Sequence, residues 1–217
     1  EEGHRYFIDG SVFHGKSATT LVRDQFTGDE FNAPLVVRRN LASWRAKPSS
    51  KYHRLVQSLD DASAEAAVLA QWSDANRLGT LTHLVCERVL NGEDPGEESS
   101  EVTKEMSQFK KFLEDHPTLH PYRTELSLFY SRPDGSVSVC GQLDALLKCS
   151  ETGAIVMIDF KRTNHNLSPN THSFGKEGIG VLAGVPANDF HKYSLQLSIY
   201  TFLCEHHAIQ VDSRYIL

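Results

Sequence analysis

An α/β fold, with a central mixed β-sheet flanked by helices, follows from three features of this sequence. Helical periodicity fills much of the first half. The period then drops to that of strands over three consecutive segments joined by turns. A last helix and a last strand close the chain. The 217 residues are read as one domain, large enough to bury a real core. Residues 1–58 are expected to form a mainly helical N-terminal lead-in or cap, and residues 59–217 the core.

The elements follow in order. Tyr6 to Phe13 alternates around Asp9-Gly10 and predicts a short hairpin. Ser17 to Phe26 predicts a helix with Ser17 as its N-cap. Asn40 to Ala46 predicts another short helix. Asp60 to Leu90 is the clearest helical stretch, with Gly79 as a candidate break. Asn91-Gly92 and the acidic run after it read as a loop, and Glu101 to Glu114 as an amphipathic helix. Strands are expected at 124–131, 136–148 and 154–161. Ile155 to Ile158 is continuously apolar, as in a strand buried on both faces. Residues 163–188 read as a long loop, 189–206 as a helix and 211–217 as a final strand.

Composition sets limits. The chain is 40% hydrophobic and 23% charged, which excludes a disordered polyelectrolyte. No apolar run approaches the roughly 20 residues that cross a bilayer, so no membrane partner is expected. The start, Glu1-Glu2-Gly3-His4, has no basic region leading into an apolar one, so no secretory signal is expected. Ser213 to Leu217 ends in a strand-like run, compatible with a longer protein. Cys86, Cys140, Cys149 and Cys204 form no CxxC pair, which argues against a zinc ribbon and for reduced thiols in an intracellular, reducing compartment. Nucleus, mitochondrion and virus-infected cytoplasm are not separable on these grounds. The net charge of −6 counts against nucleic-acid binding by the chain as a whole. A site needs only a local positive groove, however, and Arg38, Arg39, Arg45, Lys47, Lys51, Arg54, Lys110, Lys111, Lys161 and Arg162 supply local basic stretches.

The chemistry concentrates in Gly141-Gln142-Leu143-Asp144 and Ile158-Asp159-Phe160-Lys161. A carboxylate at the end of a buried strand is costly unless something pairs with it. Two carboxylates on adjacent antiparallel strands would repel each other unless a divalent cation lay between them. Asp159 and Lys161 are two apart on a strand and so share a face. Hard oxygen donors suit Mg²⁺ or Mn²⁺, with the backbone carbonyl of Phe160 as a further donor. A cation there with an ammonium beside it suits phosphodiester hydrolysis. The plainer reading is an Asp–Lys ion pair closing a strand end.

These segments resemble motifs II and III of the PD-(D/E)XK nucleases. Gly79-Thr80-Leu81-Thr82-His83 to Glu87 resembles the GTxxHxxxE helix of the RecB-like branch, and Gln196 to Tyr200 its QxxxY motif. The resemblance implies a restriction-endonuclease-like core and a metal-dependent deoxyribonuclease. It implies His83 as a metal ligand with Asp144 and Asp159, Lys161 as catalytic, and Gln196 and Tyr200 as orienting Lys161, the substrate or both. Glu87 and Glu125 would stand behind the ligands, and the role of Glu125 is left open. The lead-in resembles that of the group around the mitochondrial genome maintenance exonuclease and its viral and protist relatives. That implies exonuclease action on single-stranded or end-bearing DNA, with Ser17, Trp44, Tyr52 and Arg162 as candidate contacts. No iron–sulfur cluster is expected, because the cysteines are widely spaced. Each helical motif also has a plain reading: a core-edge histidine, a solvated glutamate, a half-buried helix face, core aromatics. A catalytically silent nuclease-fold module that holds DNA or acts as a scaffold is the alternative.

Overall fold

The computed structural model describes residues 6–8, 10–26 and 31–217. The chain divides into two compact units, one built from Glu1–Thr27 with Thr82–Leu217, the other from Gly28–Leu81.

The first unit is α/β. Two short strands, β1 (Phe7–Ile8) and β2 (Ser11–Val12), pair antiparallel as expected. Asp9 of the anticipated turn lies outside the described residues. Strand β3 (Lys16–Ser17) leads into helix α1 (Ala18–Asp24), which Ser17 caps by accepting from the Thr20 amide. The main sheet is mixed. Strands β4 (Leu119–Ser131), β5 (Val137–Cys149) and β6 (Ile155–Asp159) form an antiparallel meander, and β7 (Ser213–Ile216) joins β6 in parallel. Strand β3 adds a short parallel pairing to β5.

Helix α6 (Asp189–His206) coincides with its sequence expectation and is capped by Asn188, whose side chain accepts from the His191 amide. Its Leu197, Tyr200, Leu203 and Cys204 form a core with Leu128, Leu143, Leu146 and Met157 of the sheet. Helix α5 (Thr103–Asp115) follows a 3₁₀ turn, Glu97–Val102, and buries Met106, Phe109 and Phe112. Phe109 meets Phe160 edge-on at 5.4 Å.

The second unit holds α2 (Ala33–Ala46), α3 (His53–Val56) and the first part of α4 (Asp61–Leu90). Its core is Val37, Leu41, Tyr52, Val56, Ala64 and Val68. Helix α4 runs unbroken through Gly79, where a break was expected. Asp60 caps its start by accepting from the Ser63 amide. Helix α2 starts well before the expected Asn40, because Asn32 is its N-cap and Pro34 sits in its first turn, where a missing N–H costs nothing. Residues 163–188 contain no α-helix or named strand, but they are tethered. Asn188 donates to the carbonyls of Pro169 (3.0 Å) and Thr171 (2.8 Å), and the Ile179 amide to that of Gln25 (2.9 Å).

Candidate functional site

Register brings the two aspartates together. Ala145 of β5 pairs with Ile158 of β6. One step further, Asp144 comes opposite Asp159, and directly opposed residues of an antiparallel pair share a face. The end of β6 is then pinned from both sides. The Phe160 amide donates to Asp144 Oδ2 at 2.6 Å. On the other edge, the Leu217 amide donates to the Asp159 carbonyl at 3.0 Å, and the Lys161 amide to the Leu217 carbonyl at 2.9 Å. The backbone that carries both aspartates therefore has little freedom.

Lys161 turns onto Asp159, its Nζ 2.5 Å from Oδ2. It also donates to the Phe160 carbonyl at 3.2 Å and lies 5.4 Å from the centre of the Tyr193 ring. Asp159 has only 3% of its side chain exposed, and the Lys161 ammonium is the charge set against its Oδ2. Burial pushes the Asp159 carboxyl above the usual range. Lys161 pulls it back, and the Asp144 charge raises it again. The Phe160 carbonyl, anticipated as a metal donor, accepts from Lys161 in this arrangement.

His83 and Glu87 of α4 lie one turn apart. His83 Nδ1 is 3.3 Å from Asp144 Oδ1, and its ring meets that of Phe160 edge-on at 5.9 Å. Burial disfavours the charged imidazole, but the hydrogen bond and charge of Asp144 outweigh it, so the His83 pKa is raised. Glu125 of β4 falls between the Thr124–Ala145 and Leu126–Leu143 pairs, across from Asp144. Burial first, then the charges of Asp144 and Glu87, lift its carboxyl to about 7. His83, Glu125 and Asp144 each offer a ligand atom, all within 4.8 Å of one another.

Gln196 and Tyr200 face the same region, and Gln196 Nε2 donates to the Tyr200 hydroxyl at 3.0 Å. Burial and the Asp159 charge raise the Tyr200 pKa. Gly141 lets this ring approach, since a Cβ there would stand 2.7 Å from Tyr200 Cε1. Tyr193 was not singled out from the sequence. Burial, then the charges of Asp189 and Asp159, raise its hydroxyl to about 12. Its signal was legible: Tyr193, Gln196 and Tyr200 follow the i, i+3, i+7 spacing of one helix face.

The side chains anticipated as DNA contacts have partners within the protein. Ser17 spends its hydroxyl on the α1 cap and on Thr20 Oγ1. Tyr52 is buried, accepts from Trp72 Nε1 at 2.7 Å and stacks at 4.3 Å on half-buried Trp44. Arg162 pairs with Glu105 at 2.8 Å. His165 lies 3.3 Å from Asp189, and His172 is exposed in the long loop.

The donor set suits a hard divalent cation. It combines the carboxylate oxygens of Glu125 and Asp144 with the His83 imidazole, while Asp159, held by Lys161, is not part of this group. Burial and the neighbouring Asp144 charge push the carboxyls of both Glu125 and Asp159 upward, a crowding that a cation would offset. Compared with known protein-family models and with curated protein sequences, the chain matches none. No helix among the described residues is long and apolar enough to cross a membrane.

Proposed function

We propose that this protein is a Mg²⁺- or Mn²⁺-dependent nuclease that hydrolyses phosphodiester bonds in DNA. The observation that carries the reading is the opposition of Asp144 and Asp159 on adjacent strands, with Lys161 against one and His83 against the other. The run α5–β4–β5–β6–α6–β7 is assigned, within this reading, to a restriction-endonuclease-like core.

His83, Asp144 and Asp159 would hold the cation, with the Phe160 carbonyl as a further donor once Lys161 turns toward substrate. Bound there, the cation supplies an acidified water and charge to offset the phosphate. The protein's own groups do the rest. Lys161 places its ammonium where negative charge develops on the phosphate oxygens. Gln196 and Tyr200 hold the neighbouring face in a fixed arrangement, and the Tyr200 hydroxyl keeps its proton at neutral pH. The Phe160 and Phe109 rings keep the base of the site apolar, which strengthens each electrostatic contact above it.

The test uses end-labelled linear DNA and circular DNA, single- and double-stranded, with Mn²⁺ or Mg²⁺ and with EDTA. Metal-dependent cleavage is expected of the wild type, with linear substrates preferred if the action is exonucleolytic. Asp159→Ala and Lys161→Ala should each abolish it. Wild-type cutting by either variant overturns the site assignment. Binding without cleavage under every condition favours the silent DNA-holding module.

A further inference from the structure

Glu125 is held at an energetic cost. It adopts φ +46 inside a strand, a left-handed conformation that disfavours any residue with a Cβ. Its side chain is half-buried beside the charges of Asp144 and Glu87, and no hydrogen bond or ion pair reaches its carboxylate from another described residue. Its carbonyl is tied down instead, accepting from Gln142 Nε2 at 3.4 Å. The favourable neighbour is His83, which shares with Glu125 and Asp144 the three-atom group within 4.8 Å. Ligands that face each other across an ion at Mg²⁺ or Ca²⁺ distances stand about 4 to 5 Å apart. That spacing therefore fits one cation. Beside this group the almost fully buried Asp159 carboxylate, held by the Lys161 ammonium, also feels the Asp144 charge, so the crowding of carboxylates extends past the three.

The geometry points to Glu125 as a direct ligand of the divalent cation that His83 and Asp144 hold. Its carboxylate, on β4, completes a donor set otherwise drawn from α4, β5 and β6. This rests on the metal-dependent reading above and adds to it a residue whose role the sequence leaves open. It explains why a strained glutamate is kept beside two other carboxylates: the strain aims its oxygen at the ion, and the ion offsets the crowded charge.

Calorimetric titration of the metal-free protein with MnCl₂, together with thermal melts in the presence and absence of Mn²⁺, tests the assignment. Loss of a mere supporting partner of a ligand costs about 10–100-fold in metal affinity, so Glu125→Gln should weaken Mn²⁺ binding by about 100-fold or more. Without metal, Glu125→Gln should melt at or above the wild-type temperature, because a crowded charge has gone. A structural role for Glu125 would instead lower that temperature. Wild-type Mn²⁺ affinity in Glu125→Gln, or a lowered metal-free melting temperature with unchanged affinity, overturns the proposal and leaves the nuclease reading standing. Failure of the wild type itself to bind Mn²⁺ or Mg²⁺ overturns both. Should Glu125→Gln not fold, Glu125→Asp draws the carboxylate back by one methylene and should weaken binding by about tenfold; unchanged affinity in that variant overturns the proposal.

Discussion

Asp159 depends on Lys161. Its carboxylate is almost fully buried and its nearest counter-charge is that ammonium, at 2.5 Å. Removing one partner of a buried pair leaves the other charge uncompensated, at a cost of about 3–5 kcal/mol. Lys161→Ala should therefore lose about 3 kcal/mol in denaturant unfolding without metal, and Mn²⁺ should restore part of that loss by supplying the counter-charge. Equal stability of the two proteins in EDTA would contradict the pairing. Cys149 gives an independent residue-scale prediction. Hydrogen bonds from the Thr152 hydroxyl and amide, then from Glu151 and Thr118, lower its thiol from 9.0 to about 7. Burial pushes Cys86 up to about 12, and Cys140 and Cys204 up to about 11. A lowered thiol pKa places the thiolate near neutrality, so alkylation of Cys149 should rise through pH 7 and level off above it. Peptide mapping after brief iodoacetamide treatment at neutral pH should find Cys149 labelled first. Preferential labelling of another cysteine would contradict this.

Among the elements, the junction of β5 with α6 is the most sensitive. Gly141 lies where a Cβ would come 2.7 Å from Tyr200 Cε1 and 3.2 Å from Ala18 Cβ. Gly141→Ala must displace the Tyr200 ring, costing about 1–3 kcal/mol and disturbing the Gln196–Tyr200 pair. A melting curve and a cleavage rate check this together; wild-type values for both would mean the ring moves aside freely. Helix α6 was fully legible, because an Asn N-cap precedes a long run of helix formers. Helix α4 spans the stretch expected of it and continues through Gly79, since one interior Gly costs only about 1 kcal/mol against 30 helical residues. Strand β4 begins at Leu119, ahead of the expected Thr124, and so takes in Pro121. Its pairing on β5 spans that position with a shift of register between Pro121 and Arg123. Glu125 was legible as an acidic position, but its approach to Asp144 depends on strand register. No local pattern encodes the meeting of residues nineteen apart on paired strands. His83 and Asp144 met by the same long-range logic, and only the resemblance anticipated that pairing.

For the whole molecule, the net charge of −6 works against diffuse attraction of a polyanion, so the proposed hold on DNA is a local one. An imidazole among the donors favours Mn²⁺ over Mg²⁺, so the melting temperature should rise more with Mn²⁺ at equal concentration. An equal or larger rise with Mg²⁺ would argue against His83 as a donor. The central claim is that a divalent cation sits among His83, Asp144 and Asp159. Anomalous diffraction from crystals grown with Mn²⁺ tests it most directly. A strong peak is expected within about 2.5 Å of an Asp144 carboxylate oxygen, with the His83 imidazole and an Asp159 oxygen also coordinated. Crystals in which Mn²⁺ binds elsewhere, with the His83–Asp144 and Lys161–Asp159 contacts intact, would contradict it.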